Sequence, residues 1–245
     1  MGTTSTRAAV ITGGNGGIGR AISRQLAADG YFVYICCHGN QAAADAVLQD
    51  VKGDGGDGEV LTFDIGNANE AERALATVVD STRDVTAVIH SAGVVKRSLF
   101  AQTSSNAWDA AVSTNLNGFF YTLRPLLRKM IRIRNGCVIA ISSVIAPRGL
   151  EGQGAYAASK SGLIGAVRSL AREVGPYNIR ANIVSPGWIR AGMNQGDPPE
   201  PVRSRIPLRR AGHAEEVADL VSFLCSPRAS YISGAIIPVA GGLDM

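Results

Sequence analysis

Aromatic and charged residues are both scarce in this sequence, at 6% and 18% of 245 residues, against 46% hydrophobic. Set beside 29 glycines, that shortage favours tight turns and a Val/Ile/Ala-rich interior over an all-β sandwich. Cysteine occurs only at 36, 37, 137 and 225; two are adjacent, and the spacing suits neither a disulfide framework nor a zinc site. A reducing compartment is the simpler reading. No apolar run reaches the length of a bilayer span, and the opening MGTTSTR lacks the apolar stretch of a secretory signal. These absences predict a cytoplasmic protein with no membrane partner. The formal charge of +4 does not cluster into a nucleic-acid arm, although it is compatible with an anionic ligand or partner. The length suits one α/β domain covering residues 1–245.

What is present is an alternation of apolar strands and helices. Residues 8–12 (AAVIT) read as a strand, GGNGGIG follows at 13–19, and a helix over 18–29 carries Ile22, Leu26 and Ala27 at helical spacing. Strand, glycine turn and helix in that order can hold a dinucleotide, because free N–H groups and the helix dipole receive a pyrophosphate. The spacing Gly13–Gly17–Gly19 is not the common G-x-G-x-x-G version, and a ligand-free glycine turn has the same appearance. The second strand, 31–36, ends at Cys36, Cys37 and His38, with no acid before Asp45 to bond an adenosine ribose. That absence also removes the repulsion a 2′-phosphate would meet, so NADPH is favoured. His38 could donate a ring N–H there, or be plain surface.

Further along, 40–52 reads as a helix, GDGGDG at 53–58 as a turn, 60–63 as the third strand and 68–80 as a helix. Asp64 either accepts from an adenine amino group or caps the following segment. The fourth strand, 85–90, runs into Ser91-Ala92-Gly93, a small segment where a ligand can cross an open sheet. His90, without a cysteine or carboxylate at ligand spacing, is expected to bond neighbouring backbone and not a metal. Residues 104–132 give the longest helical segment, with Asn115 inside its apolar side as a candidate orienter of water or a side chain. Its far end is basic: Arg124, Arg128 and Arg132 repeat every fourth residue beside Lys129 and Arg134. That strip is either a solvated face or a docking surface for an acidic partner.

The chemistry concentrates at 136–160, GCVIAISSVIAPRGLEGQGAYAASK. A strand gives out at Ser143, a Gly/Pro loop follows, and Tyr156 and Lys160 stand one helical turn apart on one face. A hydroxyl beyond a strand end facing a Tyr–Lys pair makes a proton-donating site. A sixth strand over 179–184 ends in Ser185-Pro186-Gly187-Trp188-Ile189. The Pro-rich residues 190–211 form a long loop, read as a substrate lid. A helix over 215–225 and a strand over 235–239 complete seven strands, whose alternation with helices implies a parallel sheet covered on both faces.

TGGNGGIG at 12–19, Asp64, SAG at 91–93, Asn115 in TNLNGFF, Ser143, YAASK at 156–160 and SPGWI at 185–189 together resemble the short-chain dehydrogenase/reductase family. Within it, the stretch ISSVIAPRGLEGQGAYAASKSGLIGAVRSLAREVG and the ending SYISGAIIPVAGG are similar to the 3-oxoacyl-acyl-carrier-protein reductases. The resemblance implies a single Rossmann-type three-layer α/β/α domain with a seven-stranded parallel sheet in order 3-2-1-4-5-6-7, a homotetramer, and hydride transfer between NADP(H) and a carbonyl. It makes Tyr156 the general acid and Ser143 the group that holds the carbonyl oxygen. Lys160 would bind the nicotinamide ribose and lower the Tyr pKa, and Asn115 would fix a water that links Lys160 to solvent. The implied cofactor contacts run through Gly13, Asn15, Gly16, Gly17, Ile18 and Gly19, then Cys37 and His38, then Asp64 and Ile65. They continue through Ser91, Ala92 and Gly93 to Pro186, Gly187 and Ile189, beside Tyr156 and Lys160. An acyl carrier protein as substrate carrier would be met by Arg128, Lys129 and Arg134.

Four positions depart from the family pattern. His90-Ser91 stands where Asn-Asn is frequent, which puts a sheet-supporting contact in question. Gly16 occupies a place where NADP-preferring members often carry a base, Ala191 a place commonly held by Thr, and Tyr177 a helix end where carrier recognition uses a base. The expected activity is reduction of a 3-oxoacyl thioester in fatty-acid or polyketide-like assembly. A reductase or dehydrogenase of a free alcohol, ketone, sugar or steroid is the alternative, and a non-catalytic NADP-binding subunit is a third reading.

Overall fold

The computed structural model describes residues 7–192, 194 and 196–243. Seven parallel strands form one sheet in the order β3-β2-β1-β4-β5-β6-β7. They are β1 (Arg7–Thr12), β2 (Phe32–Cys37), β3 (Asp57–Thr62), β4 (Asp84–His90), β5 (Gly136–Ile141), β6 (Ile179–Pro186) and β7 (Ile236–Val239). The period-2 geometry of a strand sends alternate residues to opposite faces, and in the inner strands both faces are buried. Ala8 and Val10 of β1 join one core with Val138 and Ala140 of β5, while Ala9 and Ile11 join the other with Ile139 and Ile141.

Helices α1 (Gly17–Ala28), α2 (Gln41–Gly53) and α8 (Ala214–Cys225) cover the second core, the last with a capping box in which Glu216 Oε2 accepts the His213 N–H at 2.8 Å. The opposite face carries α3 (Ala68–Asp80), α5 (Gly118–Ile133) and α6 (Gly154–Val174). Asn67 caps α3, its side chain accepting from the Asn69 and Glu70 N–H groups. Gly175-Pro176 ends α6, as the sequence predicts. No helix among the described residues is long and apolar enough to cross a membrane.

Three expectations are modified. β3 begins at Asp57, inside the segment read as a turn, because Gly58 sits against β2 where a Cβ would lie 2.5 Å from the Val33 carbonyl oxygen. The helical segment read across 104–132 divides into α4 (Ser105–Val112), a π turn over Ser113–Asn117 and α5. The cause is Asn115, whose bonds leave the helix altogether and draw out an extra residue. Residues 190–211 contain the short helix α7 (Glu200–Arg203), and the loop closes on itself at its base, where the Gly212 N–H donates to the Trp188 carbonyl at 2.9 Å and the Arg190 N–H to the Gly212 carbonyl at 2.8 Å.

Candidate active site

All the strands point one way, so the loops following β1, β4, β5 and β6 open on one edge of the sheet. This is where an open α/β sheet receives a ligand. After β1, Gly13 takes φ +63°, a left-handed conformation that a side chain would strain, and a Cβ on Gly19 would lie 2.0 Å from the Gly13 carbonyl oxygen. The turn thus folds tightly back on the start of α1, whose N-cap, Gly16, makes no side-chain cap bond. The first N–H groups of the helix are left for an anion.

A cavity of about 420 Å³ runs along this edge, lined by Gly13, Gly16, Gly17, Ile18 and Gly19 at one end and by Ser143, Tyr156 and Lys160 at the other. Ser91, Gly93, Pro186, Gly187 and Ile189 line its walls. A second cavity of about 290 Å³ opens on the other side of Ser143 and Tyr156, under Trp188 and the 190–211 loop. The two share Ser143, Tyr156, Gly187 and Asn194. The hydroxyl pair therefore stands at the junction of a long glycine-walled groove and a shorter, mainly apolar one.

Lys160 is buried, and its Nζ donates to the Ile141 carbonyl at 2.8 Å and lies 5.9 Å from the Tyr156 ring centre. Burial pulls the Lys160 pKa down to about 8. Burial also pushes Tyr156 above its ordinary value, opposed by a hydrogen bond with Ser143. The Lys160 ammonium turns to the end of β5, and Ser143 is the neighbour that favours the phenolate. Tyr156 consequently holds its proton at neutral pH.

Asn115 organises the next layer. Its Oδ1 accepts the Val94 N–H at 2.7 Å, and its Nδ2 donates to the Val94 carbonyl and to Ser159 Oγ, each at 3.0 Å. The backbone carbonyl of Asn115 faces His90 Nε2 at 3.0 Å, and His90 Nδ1 faces Thr12 Oγ1 at 3.1 Å. The Asn115 carbonyl can only accept, so the ring proton of the neutral imidazole sits on Nε2 and Nδ1 accepts from the Thr12 hydroxyl, which itself accepts the Ala92 N–H. His90 thus supplies the sheet-supporting contact that the departure from Asn put in question. Burial, then the Lys160 charge, push its pKa down to about 3, so it is neutral.

The remaining cofactor candidates lie outside the groove lining. Asn15 donates to the Asn40 carbonyl at 3.1 Å, and His38 is exposed at the end of β2. Cys37 and Ile65 are buried core residues, Cys37 in contact with Thr62 Oγ1 at 3.5 Å, so their side chains are not offered to a ligand. Asp64 Oδ1 accepts the Gly66 N–H at 2.8 Å, which is a local turn, while the helix cap falls to Asn67. Ala92 backs the glycine turn, its Cα 2.8 Å from where a Gly13 Cβ would be.

The basic strip divides as well. Arg128 is exposed, and Arg134 donates to the Pro176 carbonyl at 2.7 Å with its guanidinium near the Tyr177 ring. Lys129 is a correction: it is buried, and its ammonium closes the end of α3 by donating to the carbonyls of Val78, Val79 and Ser81. Its donors are thereby committed to the chain's own carbonyls. Sequence reasoning did not single out Arg97, Arg148 and Arg205, which line the smaller cavity from three separate loops. Nothing in the local sequence brings them together.

Fold and site define a nicotinamide-type oxidoreductase with a Ser–Tyr–Lys centre. Residues 13–244 match the family model described as enoyl-(acyl carrier protein) reductase. A 3-oxoacyl-(acyl-carrier-protein) reductase of Staphylococcus aureus is 35% identical over 98% of this chain and 99% of its own. That of Aggregatibacter actinomycetemcomitans is 36% identical over 96% of this chain and 98% of its own. Among solved structures, a putative gluconate dehydrogenase from Agrobacterium tumefaciens superposes with a TM-score of 0.93 at 28% identity, covering 98% of this chain and 96% of that one. A 3-oxoacyl-(acyl-carrier protein) reductase from Brucella melitensis gives 0.91 at 31%, covering 99% and 92%. The chain belongs to the short-chain dehydrogenase/reductase family.

Proposed function

We propose that the protein reduces the 3-oxo group of a carrier-protein-bound acyl thioester to the 3-hydroxy product, with NADPH, in fatty-acid or polyketide-like assembly. The observation that supports this most directly is the position of Ser143 and Tyr156 as the shared wall of the two cavities. A carbonyl in the smaller cavity meets both hydroxyls, while the larger groove, with its glycine cradle, has the chemistry to seat a dinucleotide. The bound nicotinamide supplies the hydride.

Ser143 donates to the substrate oxygen and orients it, and Tyr156 gives that oxygen its proton. A phenol kept protonated by burial suits the acid role. The Ser143 hydrogen bond stabilises the anion left behind, and the Lys160 ammonium can bond ribose hydroxyls in the groove. Asn115, through Ser159 and Val94, holds the helix start and the loop after β4 at a fixed separation. The absence of a carboxylate at the end of β2 supports the 2′-phosphate form of the cofactor. Arg128 and Arg134 are the basic groups offered to an acidic carrier, and a cytoplasmic homotetramer is the form in which the enzyme works.

The match to a gluconate dehydrogenase structure favours a second reading, in which a small free ketone or polyol is the substrate. A matched assay separates them: acetoacetyl and longer 3-oxoacyl carrier substrates against keto-sugars, each with NADPH and NADH. Turnover of the carrier substrates with NADPH is expected. Oxidation of NADH with keto-sugars alone would replace the first reading by the second.

A further inference from the structure

The smaller cavity has an unusual electrical character for an apolar substrate pocket. Its inner wall is Val95, Val144, Ile145, Trp188, Val202 and Leu243, yet three arginines line it too: Arg97 from the loop after β4, Arg148 from the loop after β5, and Arg205 from the 190–211 loop. No Asp or Glu is among its described lining residues. Elsewhere in the same loop the arginines have acceptors: Arg190 pairs with Asp197, Arg203 with Glu200, Arg210 with Glu216, and Arg209 donates to the Ser204 carbonyl. Arg97 and Arg205 have no side-chain acceptor among the described residues. Like charges gathered at one mouth repel each other at low screening, and an oxyanion placed between them relieves that repulsion.

We infer that the mouth of this cavity is an anion subsite, in which Arg97 and Arg205, with Arg148 beside them, select a keto substrate bearing a phosphate or carboxylate. This rests on the reading that Ser143 and Tyr156 handle a carbonyl in the same cavity. The cavity, about 290 Å³, takes the reacting ketone and the chain that leads out from it, and the charged group lies at the rim where that chain leaves. Two substrate types carry such a group: a phosphopantetheine thioester through its phosphate, and a keto-acid through its carboxylate. The carboxylate or phosphate oxygens meet guanidinium N–H donors in charge-assisted pairs, which Gln cannot reproduce.

The test compares matched neutral and anionic substrates: acetoacetyl-pantetheine against acetoacetyl-4′-phosphopantetheine, and a keto-hexose against its keto-aldonic acid. In wild-type enzyme the anionic member of at least one pair should have a kcat/KM larger by about tenfold or more. In Arg97→Gln and Arg205→Gln that ratio should fall towards unity, whereas Arg209→Gln keeps it. Whichever pair shows the ratio identifies the source of the anion. Turnover of either pair with a ratio near unity in wild type would overturn the subsite and leave the carbonyl reading standing. If none of the four is reduced, binding decides: with Trp108→Phe as background, Trp188 fluorescence is titrated with pantetheine and with 4′-phosphopantetheine. Tighter binding of the phosphorylated form, lost in Arg205→Gln, sustains the subsite without the reductase reading; equal affinities overturn it.

Discussion

His90 Nε2 stands 3.0 Å from the carbonyl of Asn115, and the same ring reaches Thr12 Oγ1 from Nδ1. One buried imidazole thereby joins the end of β1, which opens the glycine turn, to the π turn that carries the site's asparagine. Removing it as His90→Phe leaves the Thr12 hydroxyl and the Asn115 carbonyl without that partner, at a cost of about 1–3 kcal/mol per group. His90→Asn reaches fewer of these atoms and should lose less. Denaturant titration of the two variants checks the order, and a His90→Phe protein as stable as wild type would remove the link.

The same histidine sets an acid limit. Its folded-state pKa of about 3 lies below the ordinary 6.5, because burial and the Lys160 charge oppose the imidazolium. Between those values the unfolded chain binds the proton and the folded protein does not. His90's contribution is therefore fully present above about pH 6.5 and is lost as pH falls through that window towards 3. Stability curves for wild type and His90→Asn should converge as pH drops from 6.5, and parallel curves would assign acid lability to other groups.

Lys160 should titrate near 8, well below an ordinary lysine, since burial opposes its charge. The sequence has four lysines, so labelled-lysine NMR against pH can resolve each one, with Lys160→Arg as the assignment control. A folded pKa below 10.5 means that the unfolded state binds more protons between about 8 and 10.5, so this burial cost is relieved as pH rises through that window. If Tyr156 turnover depends on the ammonium, the kcat/KM profile should bend downward near the same pH. Tyr156→Phe should abolish turnover and keep nucleotide binding, while Lys160→Ala should weaken both. A Lys160 resonance titrating near 10.5 would refute the environment described here.

How much of this was legible in the sequence depends on how local each signal is. Tyr156 and Lys160 share a helix face, and Ser143 closes the preceding strand, so a short stretch specifies their encounter. The glycine turn is equally local. The partners that break the helix at Asn115 were not legible, because Val94 and His90 lie outside the helix and claim its polar groups. Lys129 misled for a related reason. A repeat of bases reads as one exposed strip, but α3 lies against this part of α5 and takes one of them inward.

That lysine yields its own prediction. Basic groups at a helix C-terminus stabilise the free carbonyls, more so when partly buried. Lys129→Met keeps much of the apolar stem and removes the donor to Val78 and Val79, so it should cost about 1–3 kcal/mol. Arg128→Glu, one residue earlier on the exposed side, should change stability by about 0.5 kcal/mol or less. It should still impair reduction of carrier-bound substrate relative to a small thioester. Equal thermal shifts in the two variants would contradict the buried placement.

Two glycines on α6 differ in what the chain packs against them. A Cβ on Gly162 would meet Leu116 Cδ2 at 2.7 Å, whereas Gly165, one turn on, has nothing within 4 Å. Gly162→Ala must therefore displace the Leu116 side chain and should lower stability. At Gly165 the chain itself gives no reason for glycine, since alanine is better in a helix by about 1 kcal/mol. A neighbouring subunit seated on this face would supply the reason, as expected for the proposed homotetramer. Gly165→Arg should then reduce the mass measured by light scattering at a fixed protein concentration, with the circular dichroism of the fold retained. An unchanged mass would move the subunit contact to another face, and Gly165→Ala would then simply stabilise α6.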